Sequence, residues 1–322
     1  SNRLGAAANP AHYEFWHTTG TIGTFGAAAA AANILGLTPE QSLHALANAG
    51  TLAAGLQQAF RADAMAKPLH GAHAAERGVT VALAAEQGVT GAPDILEGPR
   101  GFGNAMCLNG LAEEQPDWAK AATTLGQDYL IKQTTTKNHS ACGHVHAAVD
   151  SVLLLAREHN LTPADVKKIS VGSYQKAEEI CGNTNPQTAF EAKFSLVYCC
   201  AAALLWGSVR MAAFTPDRLQ DPAVRDLMTR ISLTTDPECQ GNFPALRSAK
   251  VEIETTDGRI VSHYAPTRKG DPDAPLSDME LEDKYRDLAT AVLGADGAES
   301  LLAAIWSIDT LDSARDLVPA PA

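Results

Sequence analysis

Near residue 160 the rhythm of the apolar residues changes, and few architectures accommodate the change. Before it, apolar side chains recur at three- and four-residue spacing, as in helices that each bury one face. After it, Val166 to Tyr174 alternates apolar and polar residues, and so do the runs Lys250 to Glu254 and Arg259 to Tyr264. Period two belongs to strands. A chain of 322 residues has material for roughly two cores. The sequence therefore predicts a mainly α protein with a smaller α+β domain. The expected division is a large all-helical domain over 1–159, an inserted α+β domain over 160–267, and a return to the helical domain over 268–322.

Local signals sharpen this outline. A helix over 23–35 contains the uninterrupted alanines 27–32, the strongest helix former, with side chains small enough to let a neighbour approach closely. Thr38-Pro39-Glu40-Gln41 reads as a capping box opening the next helix. Further helices are expected over 69–87, 93–96 and 145–158. Past residue 160, Thr162 to Asp165 caps a short helix, and helices are expected over 190–205 and 221–230. A strand over 231–234 follows the second of them. Asp257-Gly258 is the favoured hairpin dipeptide between the two later runs. A Gly/Pro/Asp connector over 268–276 leads to Ser277-Asp278-Met279-Glu280, another capping box. No internal repeat is present.

Composition excludes several function classes. With 45% hydrophobic residues the chain has too much apolar content for a disordered protein. A net charge of −12 and the lack of a Lys/Arg stripe argue against a nucleic-acid partner. No run reaches about 18 uninterrupted apolar residues, which argues against a membrane partner, and no cationic start precedes an apolar run as in a signal peptide. Six cysteines, two of them the adjacent Cys199 and Cys200, do not make a disulfide framework in a chain of this length. A cytoplasmic protein is expected. It begins Ser1-Asn2-Arg3 with no initiator Met, so residues are expected to precede Ser1.

Four segments carry groups suited to chemistry. Phe15-Trp16-His17-Thr18-Thr19-Gly20-Thr21 with Gly23 and Gly26 sets a histidine, hydroxyls and glycines before a helix. Unpaired amides there suit a carboxylate or phosphate; a capping loop with a surface histidine is the plainer alternative. Lys67-Pro68 opens a helix on which His70 and His73 share a face. A lysine is disfavoured there by the helix dipole, so an anion would offset it; a solvated lysine is the alternative. Lys137-Asn138-His139-Ser140-Ala141-Cys142-Gly143-His144-Val145-His146 is the densest cluster. Its spacing fits a zinc site poorly, because His144 and His146 point apart and no second ligand cluster exists. Proton transfer by a histidine, with Lys137 on a carboxylate, suits it better. Tyr198, in Phe194-Ser195-Leu196-Val197-Tyr198, has a hydroxyl that needs a partner if buried; a core tyrosine is the plainer alternative.

Taken in order, these segments resemble the MmgE/PrpD family, which includes 2-methylcitrate dehydratase, cis-aconitate decarboxylase and iminodisuccinate epimerase. The residues carrying the resemblance are His17 to Thr21 with the alanine run, Thr38 to Gln41, Ala66 to His70, Cys142 to Asp150, Phe194-Ser195 with Tyr198, and Lys269-Gly270-Asp271-Pro272. It spans nearly the whole chain. It implies a large helical domain, a smaller α+β domain, a cleft between them, a homodimer, and chemistry without metal or other cofactor. His17 is similar to the family's site histidine, Lys67 to its site lysine, Lys137 to the basic residue opening the third motif, and Tyr198 to a hydroxyl donor. Cys142 falls where the decarboxylase branch carries a histidine, and His139, His144 or His146 would substitute. The family also carries a helical segment ahead of Arg3-Leu4-Gly5 that supplies an acidic residue and a histidine.

The resemblance thus implies His17, Tyr198 and His146 as catalytic residues, and Lys67, Lys137, Thr21 and Cys142 as substrate-binding ones. The expected activity is dehydration of a 2-methylcitrate-like hydroxy acid, a small polycarboxylate, by proton abstraction beside a carboxylate. Epimerisation of a dicarboxylate such as iminodisuccinate, decarboxylation of the cis-aconitate type, and carboxylate binding without catalysis are the alternatives.

Overall fold

The computed structural model describes residues 1–8, 10–60, 64–108 and 115–317. The fold is mainly helical with one small mixed sheet. The chain divides into two compact units, Ser1–Gln133 and Thr134–Ala322.

The first unit is built on three helices, Ile22–Ile34, Pro39–Leu52 and Ala66–Glu86. Thr38 closes the expected capping box: its hydroxyl accepts from Gln41 N at 3.2 Å and its own amide donates to Gln41 Oε1 at 3.0 Å. The alanine run serves packing. A Cβ on Gly78 would lie 2.3 Å from Ala27 Cβ, so the first and third helices touch nearly backbone to backbone. Their shared core is Ile22, Phe25, Ala28, Ala49, Ala53, Val81, Phe102 and Cys107. The helix expected over 93–96 is a run of turns instead. Pro93 and Gly98 leave too few residues between them to repay helix nucleation.

The second unit holds a four-stranded sheet in the order β2-β1-β3-β4, from β1 (Val166–Ser173), β2 (Ile231–Thr235), β3 (Ala249–Thr255) and β4 (Ile260–Ala265). β1 and β2 pair in parallel and the other neighbours antiparallel. Ala249, Val251, Ile253 and Thr255 of β3 alternate inward, as period two predicts. Asp257-Gly258 makes the β3–β4 turn, with Gly258 at φ 87. Helix Leu196–Trp206 lies in the core, with every residue from Leu196 to Leu204 buried. The continuous helix expected over 190–205 is two, Ala189–Lys193 and Leu196–Trp206. Ser195 breaks it by capping the second, accepting from Tyr198 N at 3.2 Å.

The unit boundary differs from the one expected at 159/160. Helix His146–Glu158 belongs with the sheet, because Val145, Val149, Val152 and Leu155 share one core with Val166, Val251 and Ile253. Its helical period placed it among helices, but periodicity does not say which core a helix faces. Residues 268–317 also fall in the second unit; residues 318–322 of the expected return lie outside the described residues.

Among the described residues, one helix is long and apolar enough to cross a membrane, Asp278–Trp306. It is not straight. Gly294 (φ 69, ψ 171) breaks it, and the chain turns back so that Tyr285 Oη donates to Ala298 O at 3.0 Å and Trp306 Nε1 to Glu282 at 2.9 Å. Arg286 bridges to Glu299 at 2.6 Å. The arms 278–293 and 295–306 are each shorter than the roughly 20 residues a span requires.

Candidate functional site

Each unit gathers part of the expected chemistry. In the first, segment 17–21 is a helical turn ahead of helix Ile22–Ile34. His17 N donates to Gly55 O at 2.9 Å, Gly20 N and Thr21 N reach His17 O, and Gly23 N reaches Thr18 O. These amides, expected to await an anion, are therefore bonded to carbonyls. The glycines serve a different close approach. A Cβ on Gly20 would sit 2.2 Å from Ala54 O, and Gly55, at φ 141, lies against Gly20 and the His70 ring.

That contact delivers His17 to His70. Their Nδ1 atoms stand 2.9 Å apart. His17 is buried and His70 half-buried. Burial, then the neighbouring His70 ring and Lys67, hold the His17 pKa down to about 4, so its ring is neutral at pH 7. When both rings of a pair joined Nδ1 to Nδ1 are neutral, one nitrogen carries the shared hydrogen and the other accepts it. The donor's Nε2 is then a base and the acceptor's Nε2–H an acid. Transfer of the shared hydrogen exchanges the roles when the basic Nε2 gains a proton and the other Nε2 gives one up.

Behind the pair stands His12, which is fully buried. Its Nδ1 meets Met106 O at 3.1 Å and its Nε2 meets Thr21 Oγ1 at 2.8 Å. Burial lowers the His12 pKa. A neutral ring donates from Nδ1 to the carbonyl and accepts from Thr21 at Nε2. Thr21 is thus buried and hydrogen-bonded inside the unit, not offered to a ligand, which corrects the substrate-binding expectation for it. Lys67 is exposed in the first turn of its helix, within electrostatic reach of His17.

The second unit assembles a cationic cluster. Thr136 N donates to Gly270 O at 2.8 Å, which lays segment 134–144 along the Arg268-Lys269-Gly270-Asp271 turn. Arg268 is forked onto Asp271, Nη2–Oδ1 2.6 Å and Nε–Oδ2 3.0 Å. A Cβ on Gly143 would lie 2.8 Å from Arg268 Nη1, 3.3 Å from Arg247 Nη1 and 3.9 Å from Lys137 Cε. Three cationic side chains therefore converge on one backbone position. Cys142 precedes it, half-buried, with its amide donating to Lys193 O at 2.8 Å. The Cys181 thiol, and after it the His144 amide, Lys137 and Arg247, lower the Cys142 pKa to about 6 against the opposing effect of burial.

His144 is the partly exposed histidine of the three. Its Nδ1 lies 2.7 Å from Tyr174 Oη, and the Tyr174 ring stacks on Phe243 at 4.4 Å. Burial raises the Tyr174 pKa, so the phenol keeps its proton and donates it to Nδ1. Burial, then Arg247 and Arg268, depress His144 to about 4. His139 is buried and held at 2.8 Å by Asp150, which also accepts from Lys269 N.

Two further catalytic expectations are corrected within this unit. Tyr198 is wholly buried and donates to Ala213 O in the core; burial pushes its pKa up to about 12. His146 is wholly buried, beneath the His139 ring at 5.0 Å, with a pKa lowered to about 3 by burial and then by His139. Both sit where an apolar helix face enters the core, a position that the packing alternative already described for Tyr198. Among the described residues no three His, Cys, Asp or Glu side chains converge to hold a metal ion.

Sequence reasoning singled out His17, Lys67, Lys137 and Cys142, and noted His70 only as sharing a helix face with His73. It missed His12, Tyr174, Cys181, Arg247 and Arg268. Arg268 adjoins a motif already noted, so proximity to Lys269-Gly270-Asp271 was an available signal. The others are far from their partners in sequence and leave no local trace.

Comparison with known proteins places these clusters in a lineage. Residues 1–115 match the model of the MmgE/PrpD N-terminal domain and residues 139–310 that of the C-terminal domain. The human cis-aconitate decarboxylase is 30% identical over 299 residues, 92% of this chain and 61% of the relative. The mouse cis-aconitate decarboxylase is 30% identical over 300 residues, 92% and 60%. That of Aspergillus terreus is 25% identical over 315 residues, 94% and 63%. The chain thus spans about three-fifths of the length of the curated relatives it matches. With both domain models matched in order along the sequence, the chain belongs to the MmgE/PrpD family.

Proposed function

We propose that the chain belongs to a lyase acting on a small polycarboxylate through proton transfer beside a carboxylate. The observation that carries this reading is the Nδ1–Nδ1 contact of His17 and His70 beside Lys67. Removing a proton next to a carboxylate develops a second negative charge, which costs heavily unless preorganised donors meet it. In its neutral form the histidine pair offers one basic Nε2 and one Nε2–H donor, and Lys67 supplies a cation. The Lys137, Arg247 and Arg268 cluster is of the type that holds carboxylates.

Dehydration of a 2-methylcitrate-like acid uses the pair directly. The basic Nε2 takes the proton on carbon, the shared hydrogen crosses between the Nδ1 atoms, the other Nε2–H protonates the hydroxyl, water leaves and the double bond forms, with both rings neutral again. Decarboxylation is the second reading, favoured by relatives that are cis-aconitate decarboxylases. There the carbon–carbon bond breaks, carbon dioxide leaves, and the acidic member protonates the carbon. A homodimer acting in the cytoplasm, with no nucleic-acid or membrane partner, completes the proposal.

The test is incubation with 2-methylcitrate, citrate and cis-aconitate in deuterated water, following ultraviolet absorbance, carbon dioxide release and deuterium incorporation. Absorbance growth from a hydroxy acid supports dehydration, and carbon dioxide from cis-aconitate supports decarboxylation. His17→Gln and His70→Gln are each expected to lower turnover by about 10²–10⁴-fold. Saturable binding without product or deuterium exchange would replace the lyase reading with the carboxylate-binding one.

A further inference from the structure

Arg247 and Arg268 belong to the two sides of one hairpin. β3 and β4 pair antiparallel with Ala249 facing Ala265, so Arg247, two residues ahead of β3, and Arg268, three beyond β4, leave the same open end. Their Nη1 atoms lie 3.3 Å and 2.8 Å from the position that a Cβ on Gly143 would take, and Lys137 Cε lies 3.9 Å from it. Two guanidinium groups repel each other, so their convergence calls for opposite charge. Asp271 supplies it to one of them. Its carboxylate accepts from Arg268 Nε at 3.0 Å and Nη2 at 2.6 Å, and Thr135 Oγ1 donates to it at 2.6 Å. That fork fixes the Arg268 plane and leaves Nη1 on the side of Gly143. Among the described residues no acceptor bonds Arg268 Nη1, and no carboxylate forms an ion pair with Arg247. Both arginines are half-buried, and neither has a sealed nitrogen without a partner. Against Arg247, Arg268 and Lys137 stand Asp271 and, one residue along at Lys269 N, Asp150. The corner therefore stays cationic in a chain of net charge −12.

We propose that Arg247 and Arg268 clamp one carboxylate of the substrate between their Nη1 groups, with Asp271 positioning Arg268 and Gly143 keeping the space open. The identity of the ligand as a polycarboxylate rests on the lyase reading; the clamp rests on the convergence of the two guanidinium groups. Guanidinium N–H groups match the two oxygens of a planar carboxylate, and half-burial strengthens the attraction over that in water. A side chain at 143 would press on Arg268 Nη1 at 2.8 Å, while Asp271 holds the rest of that group in place. Even a methyl group at 143 would therefore intrude on the clamp.

The experiment is calorimetric titration of the full chain with tricarballylate, a tricarboxylate with no hydroxyl to lose and no double bond, so binding is read without turnover. Saturable binding is expected, with Kd raised about 10–100-fold in Arg247→Gln. A smaller rise is expected in Arg247→Lys, which keeps the charge without the fork. Lys167→Gln makes the same change in net charge at an exposed position on β1 and is expected to leave Kd unchanged. Phenylglyoxal labelling read by peptide mass spectrometry needs no variant: tricarballylate is expected to protect Arg247. Absence of binding, an unprotected Arg247, an unchanged Kd in Arg247→Gln, an equal rise in Lys167→Gln, or equally tight binding of inorganic phosphate overturns the proposal. The two readings fail separately. Binding at Arg247 without turnover of any hydroxy acid or cis-aconitate keeps the clamp and removes the lyase, whereas turnover that Arg247→Gln leaves unaffected removes the clamp alone.

Discussion

His17 owes its position to backbone and its protonation state to burial. Ordinary histidine titrates near 6.5, and the His17 value of about 4 follows from desolvation first and from the facing ring second. An NMR titration is therefore expected to show a His17 midpoint near 4. In His70→Gln the midpoint should move upward yet stay below 6.5, because the larger cause remains. A Gly20→Ala side chain would meet the Ala54 carbonyl oxygen at 2.2 Å. It is expected to destabilise the protein by about 1–3 kcal/mol, read as a lower urea midpoint. At this scale the sequence draws attention to His17, Lys67 and Lys137, which lie in compact motifs. It was illegible for His70 as a partner of His17, because only the folded contact of Gly20 with the Ala54–Gly55 segment joins them. Tyr198 and His146 share motifs with reactive groups, and only burial distinguishes them.

Among the elements, the capping boxes at Thr38 and Ser277 and the Asp257-Gly258 hairpin were fully readable, since each is fixed by residues within four positions of one another. The break at Ser195 was not, because apolar content continues through it. Ser195 is buried, caps Tyr198 N and bonds Asn183 O at 2.5 Å. Ser195→Ala is expected to cost about 1–2 kcal/mol, measured by urea denaturation with unchanged m-value. A value near zero would mean that helix Leu196–Trp206 is held by its apolar burial alone. Helix His146–Glu158 teaches the complementary lesson: its period was right and its allegiance was not, since only the matching face of β3 and β4 assigns it.

For the molecule as a whole, neutral histidines that are buried or partly buried make folding sensitive to acid. His17 and His144, at about 4, and His146, at about 3, resist protonation when folded. Unfolded they bind protons below about 6.5. Between these limits the unfolded chain binds more protons, so stability falls as pH drops. Denaturation midpoints are expected to decrease from pH 7 to pH 5. A flat profile over that range would show that these rings are protonated in the folded protein. The mainly helical class with one small sheet was visible in the change of period, whereas the unit boundary was not, because it follows contacts between distant segments. The contact of Gly20 with Ala54 and Gly55 has one more consequence, for protein engineering. A reactive group located by main-chain contact can keep its place while side chains around it are exchanged. Libraries randomising the partly exposed Thr18 and the exposed Thr19 are expected to leave the His17–His70 contact in place.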